Sequence, residues 1–392
     1  MRDRRTAPTE RRMSLKSLLL SSDEKTVRIL RRVLSDLEIA VEYCSTADDA
    51  IRRITRQRFE AIIVDGANAE EAGNVLRGAK ASPVNQRALG IVLVESAIGL
   101  KGGFDMGAHF VLYKPLAVER AKASFRAVRA LMKRERRLQL RVAVEIPIEC
   151  YGSGQYKAKT LDLSEGGMAV QFSGRVTKEK SLRFSLELPG MDGRLEVEGE
   201  LAWEGNGHQA GVRFKNATEE QRNTIRQWLN TQLPEPEKDD PPVNCRLTDL
   251  SLGGCYLTTN SPFPRGTRII LSIKTGDLEV RAGGVVLVAH SEFGMGVEFL
   301  QTTTEQHDRV HRMITTLRAN GDKSPAIQVE PDGLETRSQD EGLAEFQTSA
   351  TEVSGTEDTL VDLFRQKFQA PVETFLEQMR KQRQAAESRS HC

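Results

Sequence analysis

Residues 162–170 read DLSEGGMAV, and residues 249–257 read DLSLGGCYL. GVRF at Gly211 recurs as GVEF at Gly296, and TEEQRNTIRQWL from Thr218 returns more loosely as TEQHDRVHRMITTL from Thr304. Three landmarks held about 86 residues apart mark a tandem duplication, so the two copies should share one fold. Around the first set, VAVEIPIECY, YKAKTLDL, MAVQF, SLRFSLEL, LEVEGELAW and HQAGVRF are short, alternate apolar with polar, and are separated by glycine-rich turns. That pattern predicts about six antiparallel strands closing into a small barrel, followed by a helix. The expected bounds are residues 134–233 and 243–318, joined by a Pro- and acid-rich linker over 234–242.

Ahead of the barrels, helical and strand patterns alternate from Lys16 to about Lys133. Strands are expected at Ser17–Leu20, Ile39–Cys44, Ala61–Val64, Gly90–Val94 and Phe110–Leu112, with amphipathic stretches such as EKTVRILRRVLSDL between them. Short apolar strands alternating with helices predict a flavodoxin-like α/β domain over residues 14–133, its parallel sheet covered on both faces. Ligands of such sheets gather at the carboxyl ends of the strands. Residues 1–13 are polar and aperiodic and read as a disordered arm; Met13 would be as natural a start as Met1.

A formal net charge of +1 excludes a general nucleic-acid binder, so any basic site must be local. No apolar run approaches the roughly 20 residues that span a bilayer. Five scattered cysteines without a CxxC pair fit a reducing cytoplasm and argue against a disulfide framework or zinc site. No Ser-His-Asp set, P-loop or HExxH motif occurs, and no enzymatic activity is expected. His307 and His311 stand one helical turn apart without a third ligand and read as exposed or packing residues. Trp203 and Trp228 read as barrel and helix core.

The chain's arginines concentrate at one joint, KRERRLQLR over residues 133–141. Arg137 and Arg141, with Asp162, Ser164 and Gly167 downstream, resemble the RxxxR and D/NxSxxG pair of PilZ domains, bacterial receptors for cyclic di-GMP. The chemistry is sensible on its own. A planar guanidinium meets a phosphate or the O6/N7 edge of guanine with two hydrogen bonds and can stack on a base. Asp162 and Ser164 add an acceptor and a hydroxyl from a strand-to-strand turn. Glycine at 166 or 167 would permit a positive φ and close approach of the ligand. The resemblance further implies that Arg136, just before the motif, bears on stoichiometry and accompanies an intercalated ligand pair. Arg134 adds charge nearby.

Asp65 at the end of EAIIVD and Lys114 in GAHFVLYKPL resemble the phosphoacceptor and the lysine of response-regulator receiver domains, over residues 15 to about 135. The acidic pair that would hold magnesium is replaced by Ser21-Ser22, with Asp23 one step late. Glu95 takes the place of the switch hydroxyl unless Ser96 does, and Val111 that of the switch aromatic. Two hydroxyls hold magnesium far less well than two carboxylates. The expectation is a degenerate receiver, with Asp65 and Lys114 a vestigial pair and no magnesium or other cofactor.

The second copy keeps Asp249, Ser251 and Gly254 but has no RxxxR, and Arg246 falls inside a strand. It is expected to bind no nucleotide and to serve packing or self-association. Residues 319–355 read as a disordered acidic linker. Residues 356–392 follow as an amphipathic helix, broken near Pro371, that docks onto its own protein or a partner. The expected whole is a cytoplasmic, non-enzymatic cyclic di-GMP receptor that reorients its domains when the joint binds ligand. A phosphorylation-driven regulator and a ligand-independent adaptor are the alternatives.

Overall fold

The computed structural model describes the chain except residues 1–14, 96–98, 153, 175–180, 216, 233–239, 276–277, 320–325, 336–357, 368–373 and 382–392. The expected N-terminal arm, Ser96 and Pro371 lie outside the described residues. The chain divides into two units: Met1–Arg134 with Asp240–Cys392, and Glu135–Asp239.

The first unit opens with strands β1 (Leu15–Leu20), β2 (Ile39–Cys44), β3 (Ala61–Asp65), β4 (Leu89–Val94) and β5 (Phe110–Tyr113). They alternate with helices α1 (Glu24–Asp36), α2 (Ala47–Arg56), α3 (Ala69–Ala81), α4 (Gly99–Asp105) and α5 (Val118–Gln139). The strands form a parallel sheet in the order β2-β1-β3-β4-β5, as the alternation predicts. Because both faces are covered, the strands are apolar almost throughout. Three of the helix starts have a sequence cause: Asp23, Thr46 and Asn68 accept from the first-turn N–H groups of α1, α2 and α3.

The second unit holds β6 (Val142–Ala143), β7 (Pro147–Tyr151), β8 (Gln155–Ser164), β9 (Gly167–Phe172), β10 (Ser181–Leu186), β11 (Leu195–Glu204) and β12 (Gln209–Lys215), then α6 (Glu219–Gln232). β8-β7-β10-β11-β12-β9 pair in sequence around a ring that β9 closes onto β8. Its interior is apolar, with Phe184, Val212 and the helix residue Trp228 fully buried.

The second barrel, in the first unit, closes as β13 (Val243–Leu250), β14 (Gly254–Thr258), β17 (Gly294–Phe299), β16 (Leu278–His290), β15 (Thr267–Thr275) and β18 (Ala326–Leu334). Helix α7 (Thr304–Ala319) precedes β18 in the chain. β18 corrects the sequence expectation, which put residues 326–334 in a disordered linker. It occupies the place that β7 holds in the first copy. Ile148 and Cys150 of β7 pair with Ala158 and Tyr156, whereas Ile327 and Val329 of β18 pair with Cys245 and Val243. The neighbours on the other side, β10 and β15, correspond in the same way. The second copy is therefore circularly permuted: the strand that opens the first barrel completes the second from its far end. The permutation also explains why no arginine arm leads into it, since the chain enters this barrel one strand later.

The second barrel shares a core with the α1/α5 face of the parallel sheet: one apolar cluster runs from Leu30, Phe125 and Leu131 to Phe263, Leu271 and Val297. Polar contacts reinforce it. Ser291 Oγ donates to the Val111 carbonyl, Ser261 Oγ to the Ala123 carbonyl, and the Arg265 N–H to the His109 carbonyl. The tail forms helix α8 (Thr359–Lys367) and a further helical stretch over 374–381 that pack on the second barrel, as the amphipathic pattern predicts.

Candidate functional site

Residues 136–141, 162, 164 and 167 all belong to the second unit. Arg136 and Arg137 end α5, the Leu140 N–H donates to the Arg137 carbonyl, and Arg141 follows just beyond the helix. The fork of Arg141 donates to Asp162 Oδ1 at 2.7 Å, so the two sequence motifs meet in space. The same oxygen accepts from the Ala169 N–H at 3.0 Å, which fixes the carboxylate across the β8–β9 ladder. Ser164 Oγ donates to the Gly167 carbonyl at 2.8 Å and closes the turn. The barrel thus holds the Arg141 guanidinium against the Asp162 carboxylate, while the Ser164 hydroxyl is buried within the turn.

The two turn glycines do different work from that expected. Neither has a positive φ. A Cβ on Gly167 would stand 2.2 Å from the Val212 carbonyl, so this glycine lets β9 and β12 come together. A Cβ on Gly166 would meet only the Leu138 carbonyl, at 3.8 Å, which leaves that side of the turn accessible.

Two neighbours of the site escaped the sequence reading. Glu165 is buried and accepts from Arg226 of α6 at 2.9 Å, which anchors the turn to the helix. Its counterpart Leu252 in the second copy is 60% exposed. Trp203 is not barrel core: it is 46% exposed, and its indole lies where a side chain on Gly211 would stand. Trp203, Gly211, Ala169 and Asp162 are successive cross-strand partners along one row. At about 4.8 Å per strand, the indole over Gly211 lies two strands, roughly 10 Å, from Asp162. The glycine opposite Trp203 was the available signal.

Arg134 also departs from expectation. It is buried and donates to Asp332 of β18 at 3.0 Å, a contact within the first unit. Arg129 and Lys133 both reach Asp240. Part of the arginine-rich joint is thus neutralised structurally.

At the carboxyl edge of the parallel sheet, Asp65 Oδ1 accepts from Lys114 Nζ at 2.9 Å and from the Ala67 N–H, and Oδ2 accepts from Ser21 Oγ at 2.8 Å. Asp23 is turned away to cap α1, and its hydrogen bond from Thr26 holds its carboxyl below the usual range. Glu95 is exposed, and Val111 is buried in β5. These residues do not fit a magnesium ion, because they converge only one carboxylate on the place where it would sit. Among the described residues no three His, Cys, Asp or Glu side chains group to hold a metal, and His307 and His311 are exposed on α7. Among the same residues no helix is long and apolar enough to cross a membrane.

Residues 135–231 and 233–316 each match the model of the PilZ domain family, a family of ligand-binding, non-enzymatic domains. The chain is also similar to the receiver domain of a sensor histidine kinase from Pseudomonas aeruginosa PAO1, at 20% identity over 28% of this chain and 92% of that one, with a TM-score of 0.26. It is similar to the PilZ domain of CeSA from a cellulose-synthesizing bacterium, at 22% identity over 24% of this chain and 100% of that one, with a TM-score of 0.21. A response regulator from Thermotoga maritima matches at 15% identity over 30% of this chain and 99% of that one, with a TM-score of 0.27. No curated protein sequence matches the chain.

Proposed function

We propose, from the premise that two segments match the PilZ family, that this chain is a cyclic di-GMP receptor whose first barrel binds the ligand. The observation that carries the reading is the 2.7 Å contact of Arg141 with Asp162, which joins the arginine arm to the DLSEGG motif. Arg137 and Arg141 would grip phosphates and guanine edges through their paired N–H donors, with Arg136 adding a third fork for a second, intercalated ligand. Asp162 would accept from the guanine edge and hold Arg141 in place, and Ser164 would support the site by keeping the turn closed. Trp203 would supply a flat apolar face for a base.

A ligand that orders the arm acts where α5 passes from the first unit into the second. Fixing this segment would bias the arrangement of the domains and, through it, the binding of a partner protein.

The test is a calorimetric titration of the full chain with cyclic di-GMP. Arg137→Ala and Arg141→Ala should each cost about 2 kcal/mol or more, roughly thirtyfold in affinity. Arg246→Ala in β13 should leave affinity unchanged. Undiminished binding by both arm variants would refute the assignment.

A further inference from the structure

On the footing of that receptor reading, we propose that Arg213 of β12 is a third ligand-binding arginine of the first barrel. It would grip the nucleotide from the barrel wall while Arg137 and Arg141 grip it from the arm. Arg213 lies far downstream of both motifs in sequence, and the strand register brings it back to them. Gly167 and Ala169 stand two apart on β9, and their partners on β12 are Arg213 and Gly211. On the other side of β9 the same two residues pair with Ser164 and Asp162. Val212 and Phe214, which flank Arg213, turn inward to the core. Arg213 therefore points to the outer face that carries Asp162. Along β12 it is two residues, about 7 Å, from the glycine that Trp203 covers.

The guanidinium is available there. Arg213 is exposed, and its cross-strand neighbour Glu200 is held by Lys215 at 2.8 Å. Among the described residues the Arg213 side chain meets no hydrogen-bond or ion-pair partner. Gly167 presents no side chain, so nothing on β9 stands between Arg213 and the DLSEGG turn. The arm borders the same turn, since a Cβ on Gly166 would meet the Leu138 carbonyl. The second barrel supplies the contrast. Glu298 sits opposite Gly254 as Arg213 sits opposite Gly167, and it accepts from Arg365 of α8. The copy without an arginine arm thus carries a carboxylate where the first carries a guanidinium, and a dianion would be repelled by it. A planar fork at Arg213 can meet a phosphate or the O6/N7 edge of guanine with two hydrogen bonds, which a lysine cannot reproduce.

Calorimetry of the full chain with cyclic di-GMP tests this. Arg213→Ala should weaken binding about tenfold or more, and Arg213→Glu about a hundredfold or more. Arg213→Lys, which keeps the charge and loses the fork, should fall between wild type and Arg213→Ala. Thermal scans without ligand should leave all three melting temperatures nearly unchanged, because the side chain is exposed and unpaired. Lys215→Ala, the next outward residue of β12, should bind as wild type does. Wild-type affinity in Arg213→Ala overturns the proposal, as does an equal loss in Lys215→Ala, which would reflect the general field of the surface. A binding loss matched by a lowered melting temperature would make Arg213 structural and equally overturn it. Arg137→Ala and Arg141→Ala judge the receptor reading separately. If they lose binding and Arg213→Ala does not, only the assignment of Arg213 falls; if wild type binds no cyclic di-GMP, both fall.

Discussion

Arg141, Arg134 and Lys133 carry the same charge within nine residues of chain, yet Arg141 meets Asp162 while Arg134 and Lys133 reach Asp332 and Asp240. Charge pattern shows that cations gather but not which carboxylate each will find. Asp240 and Asp332 are remote in sequence from the basic residues they neutralise. The motif residues were legible because their spacing is local, whereas Trp203 was misread because its exposure depends on a missing side chain at Gly211 across the ladder. Trp203→Ala should weaken cyclic di-GMP binding by about 1–3 kcal/mol, the usual worth of a base–aromatic stack, and leave the melting temperature nearly unchanged. Calorimetry and thermal scans check both halves. At the other site, the oxygens of Asp65 already accept from Ser21, Ala67 and Lys114. Acetyl phosphate with magnesium should therefore give no acyl phosphate at Asp65 by mass spectrometry. Labelling of wild type that is lost in Asp65→Ala would show the reading of this site to be wrong.

Among the elements, the five parallel strands were read almost to the residue because strands buried on both faces are continuous apolar runs. β18 was not. Its sequence, AIQVEPDGL, offers few inward apolar residues, and its Pro, Asp and Gly lie in an acidic stretch typical of linkers. Only its pairing with β13 and β15 reveals it. β16 brings a titratable group under the tail. His290 is fully buried, its Nδ1 3.1 Å from the Tyr256 hydroxyl, and burial lowers its pKa to about 4 from 6.5. The unfolded chain therefore takes up the proton first as pH falls. The stability that this imidazole contributes is complete above about pH 6.5 and is lost progressively towards pH 4, on the order of 2–3 kcal/mol. Urea midpoints at pH 7 and pH 5 should show the loss, and His290→Gln should reduce it.

For the whole molecule, the second unit is an insertion whose chain ends are held by the first: Lys133 and Asp240, on either side of it, form an ion pair at 2.7 Å. A flexible insert between Met132 and Arg134 would look harmless from the sequence, but it would break this pair and the Arg134–Asp332 contact. The reorientation reading is better tested on the intact chain. Small-angle scattering should change on saturation with cyclic di-GMP in wild type and stay constant in Arg141→Ala. An unchanged wild-type profile would refute reorientation while leaving the binding site intact. The permuted strand order bears also on biosynthesis. On a translating ribosome the first barrel has all its strands once Lys215 has emerged, but the second must wait for Leu334. Until then β13 and β15 lack the neighbour that joins them, and a nascent chain carries two open sheet edges. Premature termination after α7 would leave every recognisable motif of the second copy present and its barrel unclosed.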